Sequence, residues 1–153
     1  GLQIGSNVNS LSGMSFYGVS LTKITIDENN PYYVIENNML LNKSKTILLD
    51  TLSSLEEIII PNGVKEIANY AFHYNVNLKN VVIPDTVEKI GVSFNICTLL
   101  EKIEIPSSVT SISRTCFSNS TNLKEIIIHK EKGSITGSPW GCVAGNKVVI
   151  WQP

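Results

Sequence analysis

The chain has 153 residues, 42% of them hydrophobic and only 16% charged, with a formal net charge of -1. That balance excludes an intrinsically disordered segment and a nucleic-acid binder, which would concentrate Lys and Arg on one face. No apolar run approaches the ~20 residues of a membrane-spanning helix, so no direct insertion into a bilayer is read.

From residue 55 onward the chain is a tandem repeat. Leu55, Leu78, Leu100 and Leu123 stand 23, 22 and 23 residues apart, and the units read LEEIIIPNGVKEIANYAFHYNVN, LKNVVIPDTVEKIGVSFNICTL, LEKIEIPSSVTSISRTCFSNSTN and a divergent LKEIIIHKEKGSITGSPWGCVAGN. A period of this size marks a solenoid, in which each unit buries its apolar face against its neighbours. Residues 1–26 fit the same template with defects. Ile4, Val8, Leu11 and Phe16 hold the places of Ile60, Val64, Ile67 and Phe72, and LTKITID supplies Leu21, Ile24 and Ile26. The chain therefore begins inside a strand. Gly1 is not an initiator methionine and no charged, hydrophobic leader precedes the first strand, so any targeting segment lies upstream or has been removed. A bare solenoid end needs a polar cap. The sequence thus reads as part of a longer array, or as one whose first edge another surface covers; left open, that edge invites end-to-end self-association.

Leu21 and Leu55 are 34 residues apart, eleven more than one period, and the excess contains NNPYYVIENNMLLNKSKTILLD. The runs YYVI and MLL flank the turn ENN, and TILL follows NKSK, which predicts an inserted antiparallel β-hairpin or meander over residues 31–50. Asp27, Glu28, Asn29 and Asn30 precede it without the alternating ligands of a calcium loop and read as a turn.

Within each unit, L-x-x-I-x-I-P puts two β-branched residues on one side of a short strand. Ile58 and Ile60, Val81 and Ile83, Ile103 and Ile105, and Ile126 and Ile128 are expected to face inward. Pro61, Pro84 and Pro106 end the strand, because proline donates nothing to a ladder. A second extended piece, GVKEI, TVEKI or SVTSI, leads into a turn or single helical turn carrying Phe72, Phe94 or Phe117. The unit starting at Leu78 is one residue short between Ile90 and Phe94. After His129 the repeat decays. Val149 and Trp151 lie 23 residues after Ile126 and Ile128, so KVVIW is expected as a last strand in register, with residues 133–153 as a C-terminal cap closed by Pro139 and Trp140.

The units LxxIxIPxxVxxIxxxAF, the NNPYY...TILL element and the SITGSPWG ending followed by a strand ending in Trp resemble the BspA-like leucine-rich repeat family, over essentially the whole chain. The resemblance implies a leucine-rich-repeat solenoid: one β-rich domain over residues 1–153, with five to six repeats, stacked short parallel strands, an inserted hairpin and a cap. It also implies surface-exposed or secreted bacterial proteins, with relatives in parasitic protists, some of them adhesins for host matrix or other microbes. No catalytic residue and no cofactor comes with it. Asp27 and His129 depart from it by standing in the proline slot.

In a parallel stack, equivalent positions form columns ~4.8 Å apart. The column after the leading leucine reads Glu56, Lys79, Glu101 and Lys124, and Lys65 faces Glu88 as Glu66 faces Lys89; this alternation fixes register at little net gain. The outward column between the two inward strand residues reads Thr25, Ile59, Val82, Glu104, Ile127 and Ile150. An apolar column on a solvent-facing sheet is a candidate partner surface, and β-propensity alone is the other explanation. An exposed Tyr32 or Tyr33 on the inserted hairpin is the second candidate surface. His73 and His129 occupy different repeat positions with no ligand-spaced partner, which argues against a metal site. Cys97, Cys116 and Cys142 read as reduced, mostly buried thiols. Nothing resembles a nucleophile elbow, a phosphate loop or a paired-carboxylate site. Asn42-Lys43-Ser44 and Asn119-Ser120-Thr121 match the glycosylation acceptor pattern, which applies in a secretory eukaryote. The sequence therefore leaves two readings: a non-enzymatic adhesion or protein-interaction module for a protein or glycan partner, or a spacer with no ligand of its own.

Overall fold

The structure is a computed structural model that describes residues 1–17, 19, 21–142 and 148–153. It is a β-solenoid of about six turns. The described residues form thirteen strands and no helix beyond one 3-10 turn, Gly13–Phe16. Residues 143–147, within the expected cap and including the first residue of KVVIW, lie outside the described residues.

The strands lie in two layers. The first layer holds β1 (Leu2–Ile4), β2 (Ile24–Ile26), β6 (Glu57–Ile59), β8 (Asn80–Val82), β10 (Lys102–Ile105), β12 (Glu125–Ile128) and β13 (Val148–Trp151). The second holds β3 (Tyr33–Glu36), β4 (Met39–Asn42), β5 (Ile47–Thr51), β7 (Glu66–Ile67), β9 (Lys89–Ile90) and β11 (Ser111–Ile112). Parallel pairing follows the sequence period, with Ile58 opposite Val81, Ile103 opposite Ile126, Ile126 opposite Val149, and Ile67 opposite Ile90. The inward strand residues are buried as the spacing predicts, apart from Val81, which is half-buried.

The second layer is one six-stranded sheet, in the order β11-β9-β7-β5-β4-β3. β3, β4 and β5 form an antiparallel meander, and β5 continues the parallel ladder by pairing with β7. Asn37 and Asn38 make the β3-β4 turn with φ of 48° and 62°, a two-residue left-handed pair that asparagine tolerates and that matches strand twist. The meander is buried on both faces: Met39, Leu41 and Leu48 join the main core, and Leu40 and Leu49 join a second core with Ile4, Phe16, Leu21 and Ile24.

On the turn side, Phe72 and Phe94 stack at 4.6 Å and Phe94 and Phe117 at 5.9 Å. The short unit passes closest to its neighbour at Gly91, where a β-carbon would lie 2.4 Å from Asn69 Oδ1 and 2.8 Å from its backbone nitrogen. Glycine is required there by space, since Asn69 Oδ1 accepts a hydrogen bond from Val92 N–H at 2.8 Å. Trp140 is fully buried beyond Phe117, and its carbonyl accepts from the Phe117 N–H at 3.1 Å. Cys97, Cys116 and Cys142 are buried thiols that form no disulfide with one another. Desolvation pushes the Cys116 thiol up to about 12 and raises Cys97 further, so both are unreactive hydrophobes in the core.

Candidate functional site

The first layer is not one sheet. It is split into β1-β2, β6-β8 and β10-β12-β13, while the second layer runs unbroken from β11 to β3. Thr110 N–H donates to Glu88 O at 2.8 Å and Ser113 N–H to Ile90 O at 2.9 Å, so β9 and β11 hold their two repeats together at the back. At the front, no main-chain hydrogen bond joins β8 to β10 among the described residues. A cleft of about 600 Å³ opens there, with Val81, Val82 and Ile83 on one wall and Lys102, Glu104 and His129 on the other. The unit on its β8 side is the one that is a residue short.

The charge columns show the same break. Lys79 pairs with Glu56 at 2.9 Å and Lys124 with Glu101 at 3.0 Å, both beside intact ladders, whereas Lys79 and Glu101, neighbours in the same column, form no ion pair among the described residues. Lys65 pairs with Glu88 at 3.0 Å, but Glu66 and Lys89 stand in register without an ion pair. On the β10 wall, Glu104 takes Lys102 Nζ at 2.9 Å and His129 Nε2 at 3.3 Å. These two contacts, Lys102 first, hold the Glu104 carboxyl below its usual range, and the Glu104 hydrogen bond raises Lys102 in turn.

Ile59 and Val82 lie opposite each other in β6 and β8 and are 70% and 56% exposed. With Glu104 across the cleft, they form the open part of the outward column. A second hollow of about 400 Å³ lies on the other side of β6, lined by Asn37, Asn38, Leu55 and Ile59. The β6-β8 pair therefore has an opening at each edge.

Two expected partner residues prove to be covered. Ile127 is only 7% exposed, because it sits in the middle strand of an intact three-stranded sheet between Glu104 and Ile150, with Ile150 itself half-buried. Tyr33 is buried, and its hydroxyl oxygen accepts the Leu11 N–H at 2.7 Å, tying the meander to the first repeat. Tyr32 is exposed, at the end of the hairpin away from the Asn37-Asn38 turn and away from the Ile59-Val82 pair.

Sequence reasoning missed two groupings. Tyr17 stacks on His73 at 4.6 Å and meets Tyr70 edge-on at 5.0 Å, with Tyr74 against His73 at 5.2 Å. These rings come from turns more than fifty residues apart, so no local spacing announces them. The other is the cleft, which no spacing announces: the residue missing after Ile90 is expected to alter only its own turn.

The sequence profile described as the BspA type leucine-rich repeat region matches residues 1–52 and 49–140, in six copies. Among solved structures, a leucine-rich repeat protein from Eubacterium ventriosum is similar at 35% identity over 83% of this chain and 35% of its own, with a TM-score of 0.77. The pneumococcal vaccine antigen PcpA shares the fold at 19% identity over 84% of this chain and 38% of its own, with a TM-score of 0.64. The chain thus spans little more than a third of either protein. No curated protein matches it.

Proposed function

The chain belongs to the BspA-type leucine-rich repeat family, and from that premise we propose that it is a non-enzymatic protein-interaction module of a cell-surface or secreted bacterial protein. The observation that carries the reading is the adjacent pair Ile59 and Val82, large aliphatic side chains held open on a sheet face between two hollows. An apolar area of this kind, rimmed by Glu104, Lys102 and His129, has the composition of an interface centre with a polar border. Tyr32 is the second proposed contact, and Ile150 lies at the margin of the first. Residues 1–153 act as one repeat domain in this reading, closed at residues 133–153, and the partner is a protein or glycan such as host extracellular matrix.

The test is a binding screen of the immobilised chain against matrix proteins and glycans, beside the double variant Ile59→Lys and Val82→Lys. Both positions are exposed, so the variant should keep the parent circular dichroism spectrum and melting temperature. Saturable binding that the variant reduces at least about tenfold supports the face. Silence across the panel supports the spacer reading, and equal binding by a folded double variant removes this face.

A further inference from the structure

The four rings on the turns form one surface. Tyr17 and His73 each follow the turn phenylalanine of their unit, Phe16 and Phe72, and residues 21–54 between these units contain no phenylalanine. Tyr17 reaches His73 directly and lies parallel to it, at 4.6 Å with 10° between the ring planes. Tyr70 stands at 77° to Tyr17, and Tyr74 at 77° to His73. One face of the Tyr17 ring is covered by His73, yet the residue is 54% exposed, so its other face is open to solvent. Tyr74, against the edge of His73, is exposed as well.

The turns that carry these rings are uncharged. Residues 5–22, 67–78 and 90–100 contain no Asp, Glu, Lys or Arg, whereas the strand layers carry the ion pairs Lys65–Glu88, Lys79–Glu56 and Lys124–Glu101. The place after the phenylalanine continues from Tyr17 and His73 to Asn95, whose carbonyl accepts the Tyr74 N–H at 3.4 Å. The surface is therefore aromatic, hydroxyl-bearing and neutral.

That composition selects a partner. A tyrosine ring is apolar on its faces and polar at its hydroxyl. A pyranose with equatorial hydroxyls has the complementary layout, since axial C–H bonds make its faces apolar while its rim donates and accepts hydrogen bonds without charge. Nucleic acid and anionic lipid are recognised through cations, and these turns supply none. A protein interface has a polar rim about its apolar centre, and the Ile59 and Val82 face, bordered by Lys102, Glu104 and His129, has that form.

We propose that Tyr17, Tyr70, His73 and Tyr74 form a platform for an uncharged saccharide, in which a β-linked pyranose ring stacks on the open face of Tyr17 and its hydroxyls bond to the tyrosine hydroxyls around it. The platform lies on the turns, whereas Ile59 and Val82 lie on the first layer. It is a second binding surface, and neither reading depends on the other.

The experiment is an NMR titration of the whole chain with β-1,4-linked tetramers of glucose and of N-acetylglucosamine, both uncharged. Saturating the tyrosine ring protons should transfer magnetisation most strongly to the axial sugar protons, and these should move upfield, as stacking on a ring face requires. Two replacements come from the repeat itself. Tyr17→Asn introduces the residue found at the equivalent Asn95, and Tyr74→Asn the residue found at Asn119, which shares the left-handed backbone of Tyr74 at φ of 61° against 64°. Asparagine tolerates that conformation better than tyrosine, so the second variant should keep its fold. Each should weaken saccharide binding at least about tenfold, whereas Tyr17→Phe, which keeps the ring face, should stay within about threefold of the parent.

The double variant Ile59→Lys and Val82→Lys should bind the tetramers as the parent does. Absence of binding by both tetramers, undiminished binding by a folded Tyr17→Asn variant, or a Tyr17→Phe variant as weak as Tyr17→Asn would each overturn the proposal. So would loss of saccharide binding in the Ile59 and Val82 double variant, which would move the sugar to the other face. If Tyr17→Asn fails to fold, Tyr74→Asn and Tyr17→Phe decide together.

Discussion

Residues 55–128 and residues 1–54 belong to the same stack and are held together in different ways. In the later part, one kind of contact recurs at each level: phenylalanine on phenylalanine, aliphatic on aliphatic, and a small polar group in the turn bonded back to the previous unit. Ser120 Oγ donates to the Phe94 carbonyl and Cys97 Sγ to the Phe72 carbonyl at 3.2 Å. In the earlier part, single side chains hold unlike segments. Asn30 donates to the carbonyls of Gly5 and Val8 and accepts from Tyr32 and Tyr33 N–H, all at 3.0 Å or less. Asn42 Oδ1 likewise accepts from Thr46 and Ile47 N–H. Repetition spreads stability over many equivalent contacts, whereas the meander concentrates it in a few specific ones. The junction carries the cost of the change: Asn75, in the turn slot of Cys97 and Ser120, has a different kind of neighbour beneath it, and both its amide atoms are buried without a partner.

Phe94→Ala would strike the regular part hardest. The ring lies between Phe72 and Phe117, and its removal should cost about 4 kcal/mol, since the neighbouring turns are hydrogen-bonded and cannot collapse into the space. Because the meander contributes one face to each core, the two regions should unfold together. Amide exchange should therefore show protection lost equally in β1-β2 and in β10-β12. Retained protection in β1-β2 would show that the earlier region folds by itself, and the comparison would become one of two independent units.

Asp50, at the end of the meander, has no counterpart in the regular part. It is buried, and desolvation pushes its carboxyl up to about 7, opposed by the hydrogen bond it accepts from Thr51 N–H at 2.6 Å. The folded state thus holds the proton more tightly than the unfolded state. This contribution is fully present below the unfolded value of 3.8 and is lost as the pH rises through about 7. Asp50→Asn keeps the acceptor and removes the charge. The variant should match the parent near pH 4 and exceed it by about 3 kcal/mol at pH 8 in urea titrations. An advantage that does not change with pH would mean that Asp50 carries no such burden.

The difference between the two regions also decides what could be read in advance. Strand positions, inward faces and the fold followed from periodicity, because each repeat confirms the spacing of the others. The outward column was legible as a list but not as a surface: whether Ile59 stays open and Ile127 is covered depends on how many neighbouring strands are paired, and no spacing encodes that. Tyr33 read as an exposed aromatic because its hydrogen bond to Leu11 spans 22 residues between unlike segments. The cleft escaped for a related reason. Lys79 and Glu101 are as complementary as Glu56 and Lys79, so the charge pattern predicts a closed ladder where the backbone leaves an open one.

Two asparagines test the comparison most directly, because they share residue type and burial and differ in everything else. Asn30 and Asn75 are each 1% exposed. Asn30→Ala would take the side-chain partner from two carbonyls and two N–H groups, mostly part-buried, and should cost about 2 kcal/mol even with partial rescue by water. Asn75→Ala removes an amide that already lacks hydrogen-bond partners. The desolvation penalty of that amide disappears with it and offsets the small void left behind, so stability should stay within about 0.5 kcal/mol of the parent or rise. Chemical denaturation of both variants measures the pair. A large loss at Asn75 would show that its amide is satisfied in solution, by a bound water, and the junction would then be as well bonded as the levels above it. A small loss at Asn30 would deny the meander its single-residue anchors, and the two regions would differ in topology but not in how their stability is distributed.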